Sequence, residues 1–167
     1  DFKYPVFMSS SILPYSKKRT YKDSSLRELF QMSASMLESY RQKKSRVSDV
    51  FDADREARLY VLIDIYEAYH GLVWHNRRFY MNPLTGHLES VIYDAFSDNK
   101  DFVFMNKPYL GFNEGKHRTS YNYEMYFAFQ AFNDPEFRRA YFKWMDYYLN
   151  EFDWSSYFGE TNEGLEA

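Results

Sequence analysis

Two short spacings in this chain pair a carboxylate with an imidazole. Glu67 and His70 form one Glu-x-x-His, and Glu114 and His117 form another. In a di-iron carboxylate centre such pairs project inward from helices, and two further glutamates on other helices complete the ligand set. Glu67 and His70 fall in a predicted helix. Glu114 and His117 instead flank Gly115 in a predicted loop, and no second pair of inward glutamates accompanies them. A di-iron centre is therefore not expected. A nucleophilic triad is not expected either, because the chain has no cysteine and no Gly-x-Ser-x-Gly elbow. A Walker loop and a dinucleotide fingerprint are also missing from the sequence.

The stretch from His70 to Asp94 offers a different chemistry. It reads HGLVWHNRRFYMNPLTGHLESVIYD, with Asn76 just before one apolar run and Asp94 at the end of the next. Antiparallel pairing returns a chain to its start, so a hairpin brings these two positions near each other. An amide and a carboxylate are hard oxygen ligands of the kind Mg²⁺ takes, usually one or two carboxylates with waters and substrate phosphates. Asn76 as a loop cap and Asp94 as a strand end explain the same residues more economically, and spacing alone leaves both readings open. His75 reads as a loop-ordering residue. Arg77 and Arg78 reach either a phosphate or, more commonly, a surface ion pair.

The elements that position these residues follow from periodicity and punctuation. Residues 1–22 read as an irregular lead-in, with Pro5, Pro14 and a basic run at Lys17, Lys18, Arg19 and Lys22. A helix is predicted from Ser25, where Ser25-x-x-Glu28 has the form of a capping box, to about Lys43. A second runs from Asp52 to about His70, apolar nearly all round and hence central, with Gly71 as its stop. Strands are predicted at about Arg78–Met81 and His87–Tyr93, joined by the turn Asn82-Pro83-Leu84-Thr85-Gly86. Residues 97–120 read as a long loop. Helices follow over 121–132 and 135–150, the last begun by Asp134-Pro135 and buried along Phe137, Tyr141, Trp144 and Tyr148. The tail from Trp154 to Ala167 is expected to fray. The expected fold class is mainly α with a small antiparallel β-hairpin, in one domain.

Composition sets the outer limits. The 167 residues are 45% hydrophobic and 27% charged, with 21 basic and 24 acidic side chains giving a net charge of −3. Such a balance argues against nucleic acid as a partner, since that binding leaves a basic footprint. Aromatic residues reach 22%, with 17 Tyr and 16 Phe, and most are expected in the core. Lack of cysteine fits a cytosolic protein and a bacterial extracytoplasmic one equally. No apolar run approaches a membrane span. The chain opens on Asp1, and its first 22 residues read like the interior of a longer chain.

The order of these elements resembles the spore-coat protein H (CotH) kinase family over about residues 25–150. The similarity is carried by a helix leading into His-Gly-Leu-Val-Trp-His-Asn, then Arg-Phe-Tyr-Met-Asn-Pro-Leu-Thr-Gly, then Leu-Glu-Ser-Val-Ile-Tyr-Asp, and downstream by Phe132-Asn133-Asp134-Pro135-Glu136-Phe137. What the resemblance implies is an atypical protein-kinase-like fold represented by its larger, C-terminal lobe, handling ATP and Mg²⁺ and phosphorylating a protein. It places the metal ligands on Asn76 and Asp94. The family's catalytic Asp falls on Gly71, so that His70 or Asp64 would have to take its part, and the second acidic position falls on Phe96, with Asp98 nearby. Arg78 is the candidate nucleotide contact. These departures imply a degenerate, weakly active or inactive kinase, in an extracytoplasmic or cell-surface setting of a bacterium. A non-enzymatic interaction or carbohydrate-binding module using the Tyr-rich loop from Asp101 to Tyr126 is the competing expectation.

Overall fold

The computed structural model describes residues 10–95 and 126–163, and within them the chain is mainly helical with one two-stranded antiparallel sheet. Helices α1 (Lys17–Lys22), α2 (Ser24–Arg41), α3 (Val47–Val50) and α4 (Ala53–Ile65) come first. Two turns of 3₁₀ helix, Tyr69–Leu72 and Trp74–Asn76, lead into strands β1 (Arg78–Met81) and β2 (Leu88–Val91). Then follow α5 (Tyr126–Gln130), a 3₁₀ turn, α6 (Pro135–Asp146), a π-helical turn at Tyr147–Glu151 and α7 (Trp154–Glu163). No helix among the described residues is long and apolar enough to cross a membrane. The predicted loop over 97–120, and with it Phe96, Asp98, Glu114 and His117, lies outside the described residues.

Helix α4 is the central element, as its nearly unbroken apolar circumference predicts. Ala57, Tyr60, Val61, Ile63 and Ile65 are buried along it. Asp52 caps its start by accepting the Arg55 N–H at 3.0 Å. Packed along it lies α6, with Tyr60 and Phe137 edge to face at 5.2 Å between ring centres. Phe132 adds edge contacts to Phe137 and Tyr141 at 5.1 and 4.9 Å. Such pairs are worth about 0.5–1.5 kcal/mol each beyond their buried area, so the aromatic excess serves the core where α4 meets α6.

Several element ends differ from the sequence reading, each for a local reason. The lead-in expected to be irregular contains α1. Helix α2 is capped by Asp23, which accepts the Leu26 N–H at 3.1 Å. An Asp satisfies an orphan donor as well as a Ser does, so Ser25 falls inside the first turn and its capping box is not the start signal. Helix α4 stops at Ile65 rather than His70. There Glu67 takes a left-handed conformation (φ 51°), its N–H bonds the Asp64 carbonyl at 3.2 Å, and the Ala68 N–H bonds the Ile63 carbonyl at 2.9 Å. This is a Schellman ending with Glu where Gly is usual, at a cost of about 1–2 kcal/mol for a side chain in that region.

Gly71 has another purpose than ending a helix. A Cβ at this position would lie 2.8 Å from the Ala95 Cβ, so the missing side chain lets the chain leaving β2 press against the first 3₁₀ turn. The hairpin itself pairs Arg78 with Val91, Phe79 with Ser90, Tyr80 with Glu89 and Met81 with Leu88. Its turn is closed by the Asn82 N–H to the His87 carbonyl at 3.0 Å and the Gly86 N–H to the Asn82 carbonyl at 2.9 Å. Gly86 supplies the positive φ (73°) that the exit needs. On the far side of β2, extended Phe51 forms a single parallel bridge to Leu88, so the hairpin is joined to the α3–α4 link.

At the start of α6 the Asp134-Pro135 signal acts as expected, and Asp134 also does more. Its carboxylate accepts the Glu136 N–H at 2.9 Å, and the Ser48 N–H and hydroxyl at 2.9 and 2.8 Å, fastening α3 to α6. Burial opposes ionisation of this group. The Ser48 and Glu136 donors, helped by the Arg46 charge, outweigh it and hold the carboxyl below its ordinary range. Phe137, Tyr141 and Tyr148 are buried as predicted, joined by Met145, while Trp144 is half-buried. The tail expected to fray is helical through Glu163. Trp154 anchors it, with its Nε1 donating to the Tyr148 carbonyl at 2.7 Å and its ring 4.6 Å from Phe152.

Candidate functional site

Asn76 closes the second 3₁₀ turn and is buried, 4% exposed. Its Nδ2 donates to the His70 carbonyl at 3.0 Å. The His70 Nε2 in turn lies 3.3 Å from Asp94 Oδ2. The Asn76 amide thus meets the backbone of His70 while the His70 ring faces the Asp94 carboxylate, so both residues touch His70, at different groups. The two residues that the hairpin was expected to unite are linked through a third, whose role as a bridge the sequence reading did not anticipate. Asp94 stands in the left-handed region (φ 53°), where Asp is among the more tolerant residues. Its side chain is 51% exposed, against 17% for His70, so water reaches the carboxylate. His75 packs its ring edge-on to His70 at 5.8 Å between centres.

The Gly71–Ala95 contact explains why the carboxylate arrives here. Ala95 follows Asp94, and its close approach to Gly71 sets the residue after β2 against the turn that carries His70. Gly71 also occupies the position where the resemblance puts a catalytic Asp. A side chain there would meet Ala95, so the backbone path that delivers Asp94 closes that position to any carboxylate.

The two arginines divide sharply. Arg77, expected at the surface, is buried and paired with Glu56 at 2.8 Å, side chains 3% and 5% exposed. Ser90 completes the knot, accepting from Arg77 Nη2 at 2.9 Å and donating to the same Glu56 oxygen at 2.8 Å. The guanidinium also lies over the Tyr60 and Phe79 rings at 5.6 and 5.2 Å. Glu56 and Ser90 were not singled out in the sequence. A Glu on the apolar face of a central helix is the signal that points to a buried partner. Arg78 is exposed and donates Nη1 to the His75 and Arg77 carbonyls at 2.7 and 3.0 Å, with its guanidinium 4.8 Å above the Tyr93 ring. It braces the loop that holds Asn76.

Asp64, the other substitute for the absent catalytic Asp, is 1% exposed. It accepts the Tyr69 hydroxyl at 2.9 Å and the Tyr141 hydroxyl on α6. Burial first, and then the Asp64 charge beside it, push ionisation of Tyr69 far above the ordinary phenol range. The group acts as a tie between the end of α4, the first 3₁₀ turn and α6. Glu67 and His70 do not share a helix, because α4 has already ended.

Among the described residues no set of three or more His, Asp or Glu is placed to enclose a metal. A closed structural zinc site is thereby not formed by those residues. Of the two expected ligands, Asn76 is buried and the Asp94 side chain is half exposed. Two cavities lie away from this cluster. One, of about 140 Å³, opens between the start of α4 and β2 beside Arg55 and Glu89, and a wider groove of about 760 Å³ lies where α4 passes the end of α6. Compared with family models, with curated proteins and with solved structures, the chain has no significant match in any of the three.

Proposed function

We propose that the chain is a divergent, CotH-like kinase-type domain that binds ATP with Mg²⁺ through Asn76 and Asp94. The observation that supports this reading is the His70 bridge, which fastens both proposed ligands to one turn while leaving the carboxylate open to water. Bound Mg²⁺ would neutralise phosphate charge at this place. The protein's part is to hold an amide and a carboxylate in register, with His70 orienting Asp94 and Arg78 offering a cation beside the loop. Gly71 leaves no base at the family's catalytic position, and His70, its neighbour in the chain, is the group that would have to accept a proton. Weak or absent transfer to a protein hydroxyl follows from that. In this reading the domain works outside the cytoplasm of a bacterium, on a cell or spore surface.

Thermal unfolding tests the reading directly. Mg²⁺–ATP at about ten times its Kd stabilises by about 1.4 kcal/mol, or about 3–6 °C in Tm for a chain of this size. The rise is expected with the unmutated chain, and neither Asp94→Asn nor Mg²⁺-free ATP is expected to produce it. An unmutated chain that melts at one temperature with and without Mg²⁺–ATP sinks the proposal, as does an equal rise in the Asp94 variant.

A further inference from the structure

The two N-terminal helices carry charge of the opposite sign to the rest of the molecule. Between Leu13 and Met32 stand five basic and two acidic side chains, a net charge of +3, while the remaining sequence holds 16 basic and 22 acidic ones, a net charge of −6. Helix α1 has no buried residue, and α2 buries none before Leu37. Helix α1 packs on α2, with Tyr21 meeting Phe30 edge to face at 6.3 Å, and Leu26, Leu29 and Phe30 are only half-buried there. We propose that this helical hairpin is a docking face for an anionic lipid bilayer, which it meets at the surface without crossing.

Charge supplies the first reason. Lys17, Lys18, Arg19, Lys22 and Arg27 are exposed, and none has an ion-pair partner among the described residues. Helix α1 holds four of them and no acid. Lys22 follows Lys18 by four residues and Arg19 by three, spacings that set side chains next to each other on a helix, where like charges repel. Of the two acids nearby, Asp23 already accepts the Leu26 N–H as the cap of α2. Negative charge from outside the chain relieves the repulsion. An anionic leaflet offers it as a continuous field that attracts each Lys or Arg within a Debye length of the surface.

The apolar groups beside these cations select a bilayer over a soluble anion. Leu13, Tyr15, Tyr21 and Met32 are exposed, Tyr15 completely so. Tyr21 follows Lys17 by four residues and Lys18 by three, so its ring and the two ammonium groups share one side of α1. A tyrosine at a membrane boundary keeps its ring in the apolar layer and its hydroxyl wet, and lysine stems lie along apolar surface while their heads stay in water. Leucine and methionine gain by entering the layer between headgroups and acyl chains, and a free phosphate gives them nothing. The two cavities described above are lined by other residues, so these cations surround neither of them. No described helix is long and apolar enough to span a membrane, so the contact is peripheral.

Co-sedimentation of the whole chain with lipid vesicles provides the test. Phosphatidylcholine vesicles with about 30 mol% phosphatidylglycerol are expected to bind it at least about tenfold more tightly than pure phosphatidylcholine. That preference is expected to disappear as NaCl rises from about 0.1 M to about 1 M and the Debye length shrinks from about 10 Å to about 3 Å. Lys18→Gln, Arg19→Gln and Lys22→Gln together are expected to weaken binding about a hundredfold, at about fivefold per cation, without lowering Tm. Leu13→Ser with Tyr15→Ser is expected to weaken it about tenfold, a loss that a purely electrostatic partner would not register. Absence of binding to the anionic vesicles overturns the proposal, as does binding that salt or either variant leaves unchanged. A DNA duplex held as tightly as the vesicles overturns it in favour of nucleic acid. Salt-sensitive self-association of the free chain, abolished in the triple variant, overturns it in favour of a second copy. Neither ATP nor Mg²⁺ is present, so the outcome is independent of the nucleotide reading.

Discussion

Arg77 and Asn76 are neighbours in sequence, yet they end in opposite kinds of polar cluster. Arg77 enters the core, where Glu56 and Ser90 satisfy it away from water. Asn76 turns toward His70 and, through it, to a carboxylate half in solvent. The first cluster contains a full ion pair and is sealed, and the second is neutral at one end and wet at the other. A sealed pair has spent its charges on each other and offers nothing to a ligand. An open one keeps a carboxylate that a cation can still approach. Burial, more than residue type, therefore separates the structural knot from the candidate site.

Breaking the sealed knot should have the largest effect. Glu56→Ala leaves the Arg77 guanidinium buried without its carboxylate, and loss of one partner of such a pair costs about 3–5 kcal/mol. Urea denaturation should show the midpoint falling by that equivalent. Next comes Gly71→Asp, the change that would restore a family-like carboxylate. It forces a Cβ onto Ala95, and overpacking of this kind costs about 1–3 kcal/mol. Ala95→Gly added to it should recover most of the loss in the same assay.

Asp134 gives a smaller effect with a pH signature. Asp134→Ala removes a helix cap and the tie to Ser48, a loss of about 1–2 kcal/mol near neutral pH. Because folding lowers the pKa of this carboxyl, its contribution is complete above the unfolded pKa and is lost as pH falls through the folded one. The stability gap between the unmutated chain and the variant should thus hold from about pH 7 to about pH 5 and narrow below that, toward about pH 3. A gap that stays constant would remove the charge from this account. Smallest is Asp94→Asn, whose half-exposed position predicts a change within about 0.5 kcal/mol. Its value lies in the comparison, since the same substitution should remove the response to Mg²⁺–ATP. A large loss of stability would instead class the open cluster with the sealed one.

What the sequence made legible was local chemistry. Asp134-Pro135 marks the start of α6, and β1 runs from Arg78 to Met81 as its alternation implies, because in both cases the determining groups are adjacent in the chain. The mainly helical class with one hairpin follows from the same signals. The ends of α2 and α4 were misplaced because two residues can satisfy one cap, Asp23 for Ser25, and because Glu67 accepts a conformation that Gly usually takes. Gly71 was read as a helix stop when it answers a contact with Ala95, 24 positions onward. Helix α7 contains Gly159 and an acidic end, which local propensity disfavours, but Trp154 at its start packs on the distant Tyr66 ring as well as on Tyr148 and Phe152. For the site, the hairpin pattern identified Asn76 and Asp94 as ends to be compared. Neither the bridging role of His70 nor the burial of Arg77 has a periodic signature, since each depends on partners brought together only by folding.

The single bridge from Phe51 to Leu88 has a mechanical consequence. A two-stranded ribbon alone would be a pliable flap, marginally stable in water. Here it is anchored at β2 by Phe51, whose ring also meets Phe79 at 5.7 Å, and by Arg55 reaching Glu89 at 2.9 Å. The hairpin is thereby tied to the start of α4 rather than left as a separate flap.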